Sequence, residues 1–378
     1  VEKAVIAGYA RSPFTLARKG ALRAVRPDDM AAAVVRGLVD QTGVEPTDIE
    51  DLIIGCAFPE GEQGFNIGRM VALMAGLPES VGGATVNRYC GSSMTAIHIA
   101  VGSIAAGAGD VFICAGVESM TRVPMLGFNP MPNPAFADGM PAAYIGMGDT
   151  AENVAMRWQI SRADQEAFAV ASQAKAAAAQ ARGDLIPEIV AIDSAAGAVA
   201  EDGCLRPGTT TEGLAELKPA FSQTGSVTAG TSSPLTDGAA ATLVCSESYA
   251  RAHGLPVLAR IRSMAVAGCS PEIMGMGPVG ASRKALERAG LSAKDLALIE
   301  LNEAFASQAL ACIRDLDLDP ERVNLDGGAI AIGHPLGATG ARITGKAASL
   351  LKREGGDFAL ASQCIGGGQG IATVLEAV

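Results

Sequence analysis

The chain has 378 residues, 49% of them hydrophobic and 18% charged, so it is long enough for two or three domains and too apolar to be disordered. Lys and Arg total 29 against 40 Asp and Glu, a net charge of −11, which opposes general binding to nucleic acid or anionic lipid. Aromatics at 4% argue against a wall of base-stacking platforms, and no uninterrupted apolar run reaches the ~18 residues of a membrane span.

In chain order, Val1 to Phe14 lacks the regions of a signal peptide, and Lys3 to Tyr9 reads as a strand. Asp29 to Thr42 reads as a helix with Asp28 as N-cap. Leu52-Ile53-Ile54 and Val111 to Cys114 read as buried strands, with a helix over Ser92 to Ala106 between them. Such alternation implies a sheet covered on both faces. Residues 124–141 carry five Pro and read as an exposed loop. Thr150 to Ala181 is helical, and Glu201 to Pro219 is again loop-like.

The C-terminal part repeats the plan of the first. Asp48 ahead of Leu52-Ile53-Ile54 matches Asp295 ahead of Ile299-Glu300-Leu301, and Asp110-Val111-Phe112-Ile113 matches Asp357-Phe358-Ala359-Leu360, both at an offset of 247 residues. One shared offset argues for a duplicated α/β unit. The expected division is an N-terminal half over 1–117, an inserted loop domain and return over 118–246, and a C-terminal half over 247–378.

Eight Cys (56, 90, 114, 204, 245, 269, 312 and 364) form no CxxC pair, which fits free thiols in a reducing compartment. With only three His, a zinc site is not expected. Cys90 follows Asn87-Arg88-Tyr89 and precedes Gly91-Ser92-Ser93-Met94, at the start of a helix. The helix dipole and free N–H groups there lower a thiol pKa, so Cys90 reads equally as a nucleophile or as a small buried hydrophobe. His98, eight residues along the same helix, lies ~12 Å away and is structural. His253 sits in a turn and reads as solvated. His334, in Gly333-His334-Pro335-Leu336-Gly337, occupies the corresponding corner of the second half, and duplication would carry it to Cys90 as a general base. A capping His in a tight turn is the plain alternative. Cys364 ends a strand beside Gly366-Gly367-Gly368 and reads as a second acid/base or as a packed strand-end thiol. Asn302, in Asn302-Glu303-Ala304-Phe305, reads as an oxyanion or water ligand, a helix N-cap, or both.

These four motifs, Asn87 to Met94, Asn302 to Phe305, Gly333 to Gly337 and Cys364 to Gly370, resemble those of the thiolases in order and spacing over essentially the whole chain. The resemblance implies an α/β fold, a duplicated five-layer αβαβα arrangement with an inserted loop domain. It implies that Cys90 is acylated, that His334 activates it, and that Cys364 serves as acid/base at the substrate α-carbon. One oxyanion hole would come from Asn302, through a water, with His334; the other from the N–H groups of Cys90 and Gly366. Coenzyme A would be a substrate, with no further cofactor and no metal, contacted by Arg206 near the nucleotide and by Ala229 and Ser233 along the pantetheine. Met147 and Phe221 would line the acyl pocket. Gly146 stands where acetoacetyl-selective members commonly have His, which favours the degradative 3-ketoacyl-CoA type; Phe221 is shared with the acetoacetyl type, leaving an acetoacetyl-CoA thiolase working in condensation as the alternative. Ketosynthases lack the second reactive Cys, and a non-catalytic acyl-CoA or lipid carrier would not need all four polar groups. Partners implied are CoA thioesters and a second or further copies of the chain, as homodimer or homotetramer, in the cytoplasm, or in an organelle matrix if a leader preceded this numbering.

Overall fold

Residues 2–378 are described by the computed structural model; Val1, where the N-terminal stretch begins, lies outside them. Strands β1 (Ala4–Arg11), β2 (Thr15–Leu16), β3 (Asp51–Gly55), β4 (Gly82–Val86) and β5 (Val111–Ser119) precede a small hairpin, β6 (Ile192–Ser194) and β7 (Gly197–Val199). After it come β8 (Thr236–Ser246), β9 (Ala259–Gly268), β10 (Leu296–Leu301), β11 (Phe358–Ile365) and β12 (Gln369–Glu376). The main sheet runs β10-β11-β12-β9-β1-β8-β5-β3-β4, with β2 beside β8. Only Val5↔Arg260 and Ile6↔Ala259 join β1 to β9, so two sheets meet at a narrow seam.

Helices α1 (Pro27–Thr42), α2 (Ile67–Met74) and α3 (Ser92–Ala105) belong to the first half. Helices α4 (Pro134–Gly139), α5 (Met147–Arg157), α6 (Arg162–Arg182) and α7 (Thr211–Ala215) lie between β5 and β8. The second half adds α8 (Glu247–His253), α9 (Gly277–Ala289), α10 (Ala306–Asp315), α11 (Ala329–Ile332) and α12 (Leu336–Glu354).

Strand alternation sorts the apolar residues into three cores. Leu52, Ile54, Val111 and Ile113 pack with α1 and α2, whereas Ile53, Phe112 and Cys114 point the other way. In the second sheet Leu298, Ala359, Ala361 and Ile371 share that middle core, and Ile299, Leu301, Leu360 and Val374 face a third, under α9 and α10. Both faces of each sheet are therefore apolar and covered, which produces five layers with α3 and α12 in the centre. At the 247-residue offset the 3-10 turns Pro46–Asp48 and Ala293–Asp295 precede β3 and β10, which pair in parallel with β5 and β11.

A central helix must be narrow, because it has a sheet on either side and a neighbour alongside. Helix α12 is buried nearly all round and rich in Gly and Ala. A methyl on Gly340 would lie 2.3 Å from Met94 N of α3, and one on Gly345 would lie 2.3 Å from the Tyr9 ring. Buried charges fasten the inserted segment to this helix. Lys346 Nζ reaches Glu188 at 2.8 Å and Asp326 at 2.7 Å, while Arg11 binds Glu188 and Asp202, each at 2.7 Å. Removing one member of such a network costs several kcal/mol, on the order of 3–5, because a charge is left buried and unpaired.

Four local expectations differ from the structure. Helix α1 starts at Pro27, with Arg26 at the cap; Asp28 lies inside the first turn and pairs with Arg26 at 2.7 Å. Residues 150–181 form two helices, because Gln159 adopts φ 52° and Ser161 caps a new start at Asp164 N. Segment 124–141 contains the short helix α4, capped by Asn133, and 201–219 contains α7, capped by Thr210.

Candidate active site

Cys90 lies just ahead of α3, whose N-cap is Gly91. The turn that presents it is braced throughout. Asn87 Oδ1 accepts from Tyr89 N at 2.8 Å, Ser92 Oγ donates to Tyr89 O at 2.6 Å, and Arg88 Nε donates to Thr95 Oγ1 at 2.9 Å. Tyr89 is held at φ 44°, an uncommon conformation for an aromatic residue. From the other half, Gln363 Nε2 donates to the Cys90 carbonyl, and a methyl on Gly91 would collide with Ile365. The corner is thus seated directly on the end of β11.

Sequence reasoning expects a lowered thiol pKa here, and the structure shows the reverse. Burial pushes the Cys90 thiol up to about 11, against the N–H groups of Gly366 and of Cys90 itself, which favour the thiolate, and with a push from the Glu118 carboxylate. Part of the residue stays open to solvent; the protein packed around the sulfur outweighs the helix terminus. At rest Cys90 is therefore a neutral thiol.

His334 precedes Pro335, the N-cap of α12, and does not itself cap the helix. Its backbone N donates to Thr236 Oγ1 at 3.0 Å. Its Nδ1 lies 2.6 Å from Thr339 Oγ1, and that hydroxyl donates to Pro335 O at 3.1 Å. With the hydroxyl proton committed to Pro335 O, Thr339 accepts from His334 Nδ1–H, leaving a lone pair on Nε2. Burial, with Arg342 adding, lowers the ring pKa to about 3, so the imidazole rests neutral. The two corners meet through their helices: Ala341 N donates to Ser93 Oγ at 2.8 Å. Among the described residues no hydrogen bond joins Cys90 Sγ to His334; Nε2 lies 3.4 Å from Asn302 Nδ2.

Asn302 follows β10, and its N–H extends the parallel pairing to Ser362 O at 3.0 Å. The next helix, α10, begins only at Ala306 and is capped by Phe305, so Asn302 is not a helix cap. Its side chain is buried, with Oδ1 bonded to no protein group. Cys364 is the penultimate residue of β11, ahead of the turn at Gly366, Gly367 and Gly368. Burial holds its thiol well above the usual range, and Cys90 adds to the effect, so Cys364 rests as a neutral thiol.

The inserted segment closes the site. Met147 packs on a cluster of Cys364, Phe305, Ala304, Met274, Val227 and Ala151. Phe221 meets Phe305 edge-on at 5.9 Å, above Gly148, where a methyl would strike its ring. Ser233 donates from N and Oγ to Ala304 O, at 3.0 and 3.1 Å. Ala229 is exposed at the start of a short 3-10 turn. Arg206 is exposed, its N–H on Gln173 Oε1 at 2.8 Å. His98 is bonded to Thr373 Oγ1 at 2.8 Å, and His253 is stacked on Tyr249; both stay out of the site. Sequence reasoning missed Thr339 and Thr236, although the i+5 spacing of Thr339 on the helix following His334 is visible once that helix is placed.

Comparison with known proteins gives a consistent result. Residues 4–248 match the thiolase N-terminal domain and residues 255–377 the thiolase C-terminal domain. A 3-ketoacyl-CoA thiolase of Bacillus subtilis (strain 168) is 46% identical over 389 residues, and one of Shewanella sp. (strain MR-7) is 50% identical over 393, each covering 100% of both chains. The crystal structure of human mitochondrial 3-ketoacyl-CoA thiolase in complex with CoA superposes with a TM-score of 0.92 at 36% identity, over 100% of this chain and 98% of that one.

Proposed function

This chain belongs to the thiolase family, and from that premise we infer that it cleaves 3-oxoacyl-CoA with free CoA, yielding acetyl-CoA and a shortened acyl-CoA. It is an acetyl-CoA acyltransferase of the degradative type; its full-length relatives at 46% and 50% identity are named 3-ketoacyl-CoA thiolase. The observation that carries the role assignment is the meeting of two loop-to-helix corners from opposite halves, bonded through Ala341 N and Ser93 Oγ, with Cys364 at the end of the strand beneath them.

His334 Nε2 takes the Cys90 proton as the sulfur attacks C3 of the substrate. The C3 oxyanion is received by Cys90 N–H and Gly366 N–H, the two donors that already point at the sulfur. The C2–C3 bond breaks, leaving acyl-Cys90 and the enolate of acetyl-CoA on the side of Asn302 and His334. Cys364 donates its proton to C2 and becomes a thiolate. An incoming CoA thiol returns a proton to Cys364, its sulfur attacks the acyl carbonyl, and Cys90 leaves, recovering its proton from His334. Every proton moved is restored, so the cycle is ping-pong without net proton change.

The inserted region 118–246 supplies the CoA side, with Arg206 at the nucleotide, Ala229 and Ser233 along the pantetheine, and Met147 and Phe221 around the acyl group. Strand β4 pairs on one side only, and Phe65 nearby is 90% exposed; these features support a homodimer or a tetramer built from dimers. Eight free thiols fit a reducing compartment such as the cytoplasm. No helix among the described residues is long and apolar enough to cross a membrane.

The test is intact-protein mass spectrometry after mixing with a 3-oxoacyl-CoA, followed by addition of CoA. An acyl adduct on Cys90 that CoA removes, and that Cys90→Ser lacks, is the expected result. Normal turnover by Cys90→Ser would overturn the assignment.

A further inference from the structure

We propose that Glu118 is a positioning residue for this reaction: its buried carboxylate locks the corner that carries His334 to the loop that braces Cys90. The inference rests on the thiolase roles given above. Glu118 is the penultimate residue of β5 and is 1% exposed. Its Oε2 accepts from two backbone N–H groups at once, Ala57 at 2.8 Å and Gly337 at 2.9 Å. Its Oε1 accepts from Gln63 Nε2 at 2.8 Å and Phe58 N at 3.3 Å.

Gly337 lies three residues past His334, in the first turn of α12. No side chain fits there, since a methyl would lie 2.7 Å from both Gly55 O and Val117 O. The bond to Glu118 therefore fixes the helix start at its closest approach to the first sheet. On the other side the bonds run in series toward the nucleophile. Ala57 N is held by Glu118, Ala57 O accepts from Asn87 Nδ2 at 3.0 Å, and Asn87 Oδ1 accepts from Tyr89 N, the residue before Cys90. The Phe58 ring packs against the Tyr89 ring at 5.9 Å. A single carboxylate is thus bonded toward both catalytic corners without touching either reacting atom.

The Cys56 thiol also donates to Oε1, at 3.7 Å, and a buried carboxylate with five donors is stable only where they stay in place. Glutamine is its nearest isostere but brings an NH2 group, which faces N–H donors on either orientation. Glu118→Gln therefore pushes away Gly337 and Ala57 in one orientation, or Gln63 and Phe58, whose ring packs on Tyr89, in the other, and shifts one corner against the other. Displacements near 1 Å cost on the order of 100-fold in rate, so kcat should fall roughly 30-fold or more.

The experiment measures kcat and KM for a 3-oxoacyl-CoA and for CoA in wild type, Glu118→Gln, Asn87→Ala and the double variant. The proposal expects kcat to fall while both KM values stay within about two-fold, because the CoA contacts lie on other elements. It also expects the double variant to lose less than the product of the single losses, since both sit on one chain of bonds. An unchanged kcat, a parallel rise of KM, or multiplicative losses would each overturn it. Asn87 is exposed, so Asn87→Ala tests the chain even if Glu118→Gln does not accumulate folded; there, wild-type kcat overturns the proposal. Normal turnover with no acyl adduct forming on Cys90 would instead unseat the thiolase roles on which it rests.

Discussion

Replacing Thr339 by Val removes the hydrogen bond that orients the His334 imidazole, along with the bond of the same hydroxyl to Pro335 O, which keeps the N–H groups of Ala338 and Thr339 as donors. Valine keeps the volume and the branched Cβ of threonine, so the start of α12 is unaltered, but the acceptor 2.6 Å from His334 Nδ1 is gone. Leaving a buried ring N–H without a partner costs about 1–3 kcal/mol. The ring recovers part of that cost by moving its proton to Nε2 or by rotating, and either change removes the lone pair that takes the Cys90 proton. At 1.36 kcal/mol per factor of ten, the loss in kcat/KM is roughly 5- to 150-fold. Initial rates of 3-oxoacyl-CoA thiolysis, with the rate of Cys90 acylation followed by quenched-flow mass spectrometry, measure it directly. Thr339→Ser retains the hydroxyl and should stay within about three-fold of wild type. Full activity in Thr339→Val, or equal losses in the valine and serine variants, would refute the tautomer argument.

Two further outcomes follow from the same site. Cys364→Ala should still form the acyl adduct on Cys90 from a simple acyl-CoA, yet fail to exchange the methyl protons of acetyl-CoA with deuterated solvent; retained exchange would remove Cys364 from the α-carbon. Acid should destabilise the protein through His334, whose pKa of about 3 in the fold lies below the ~6.5 of an unfolded histidine. The unfolded chain takes up a proton that the fold refuses, so stability falls as pH drops from about 6.5 toward 3, by about 2 kcal/mol at pH 5. His334→Asn lacks this contribution, and its melting temperature should decline less than that of wild type between pH 7 and pH 5; parallel curves would contradict the burial account.

Most of the architecture was legible because the duplication leaves a mark at a single spacing. Asp48 and Asp295 end equivalent turns, and the apolar runs at Leu52–Ile54 and Ile299–Leu301 reappear as equivalent strands. The four candidate site residues, Cys90, Asn302, His334 and Cys364, stand out in the sequence because they lie near the ends of apolar runs, beside small residues. Other features depend on contacts far apart in the chain. The Cys90 pKa could not be read locally, because the helix terminus is visible in the sequence while the burial that raises the pKa, and the charge of Glu118 that adds to it, come from segments far along the chain. Glu118 itself looks like an ordinary strand-end acid until Ala57 and Gly337 are brought to it. The break at Gln159 was hidden by the helix-favouring composition on both sides, although Ser161 and Asp164 mark the cap.

The glycines around the start of α12, where it meets α3 and the ends of β3 and β5, have a mechanical consequence. Gly116, Gly337 and Gly340 each bring main chain against main chain, with no space for even a methyl group. The reach from sulfur to imidazole is consequently gauged by atomic radii, a rigid stop where a cushion of side chains would behave as a spring. Warming or pressure can loosen the outer helices without altering that gauge, whereas one added carbon at the stop would wedge the halves apart and silence an otherwise intact catalyst.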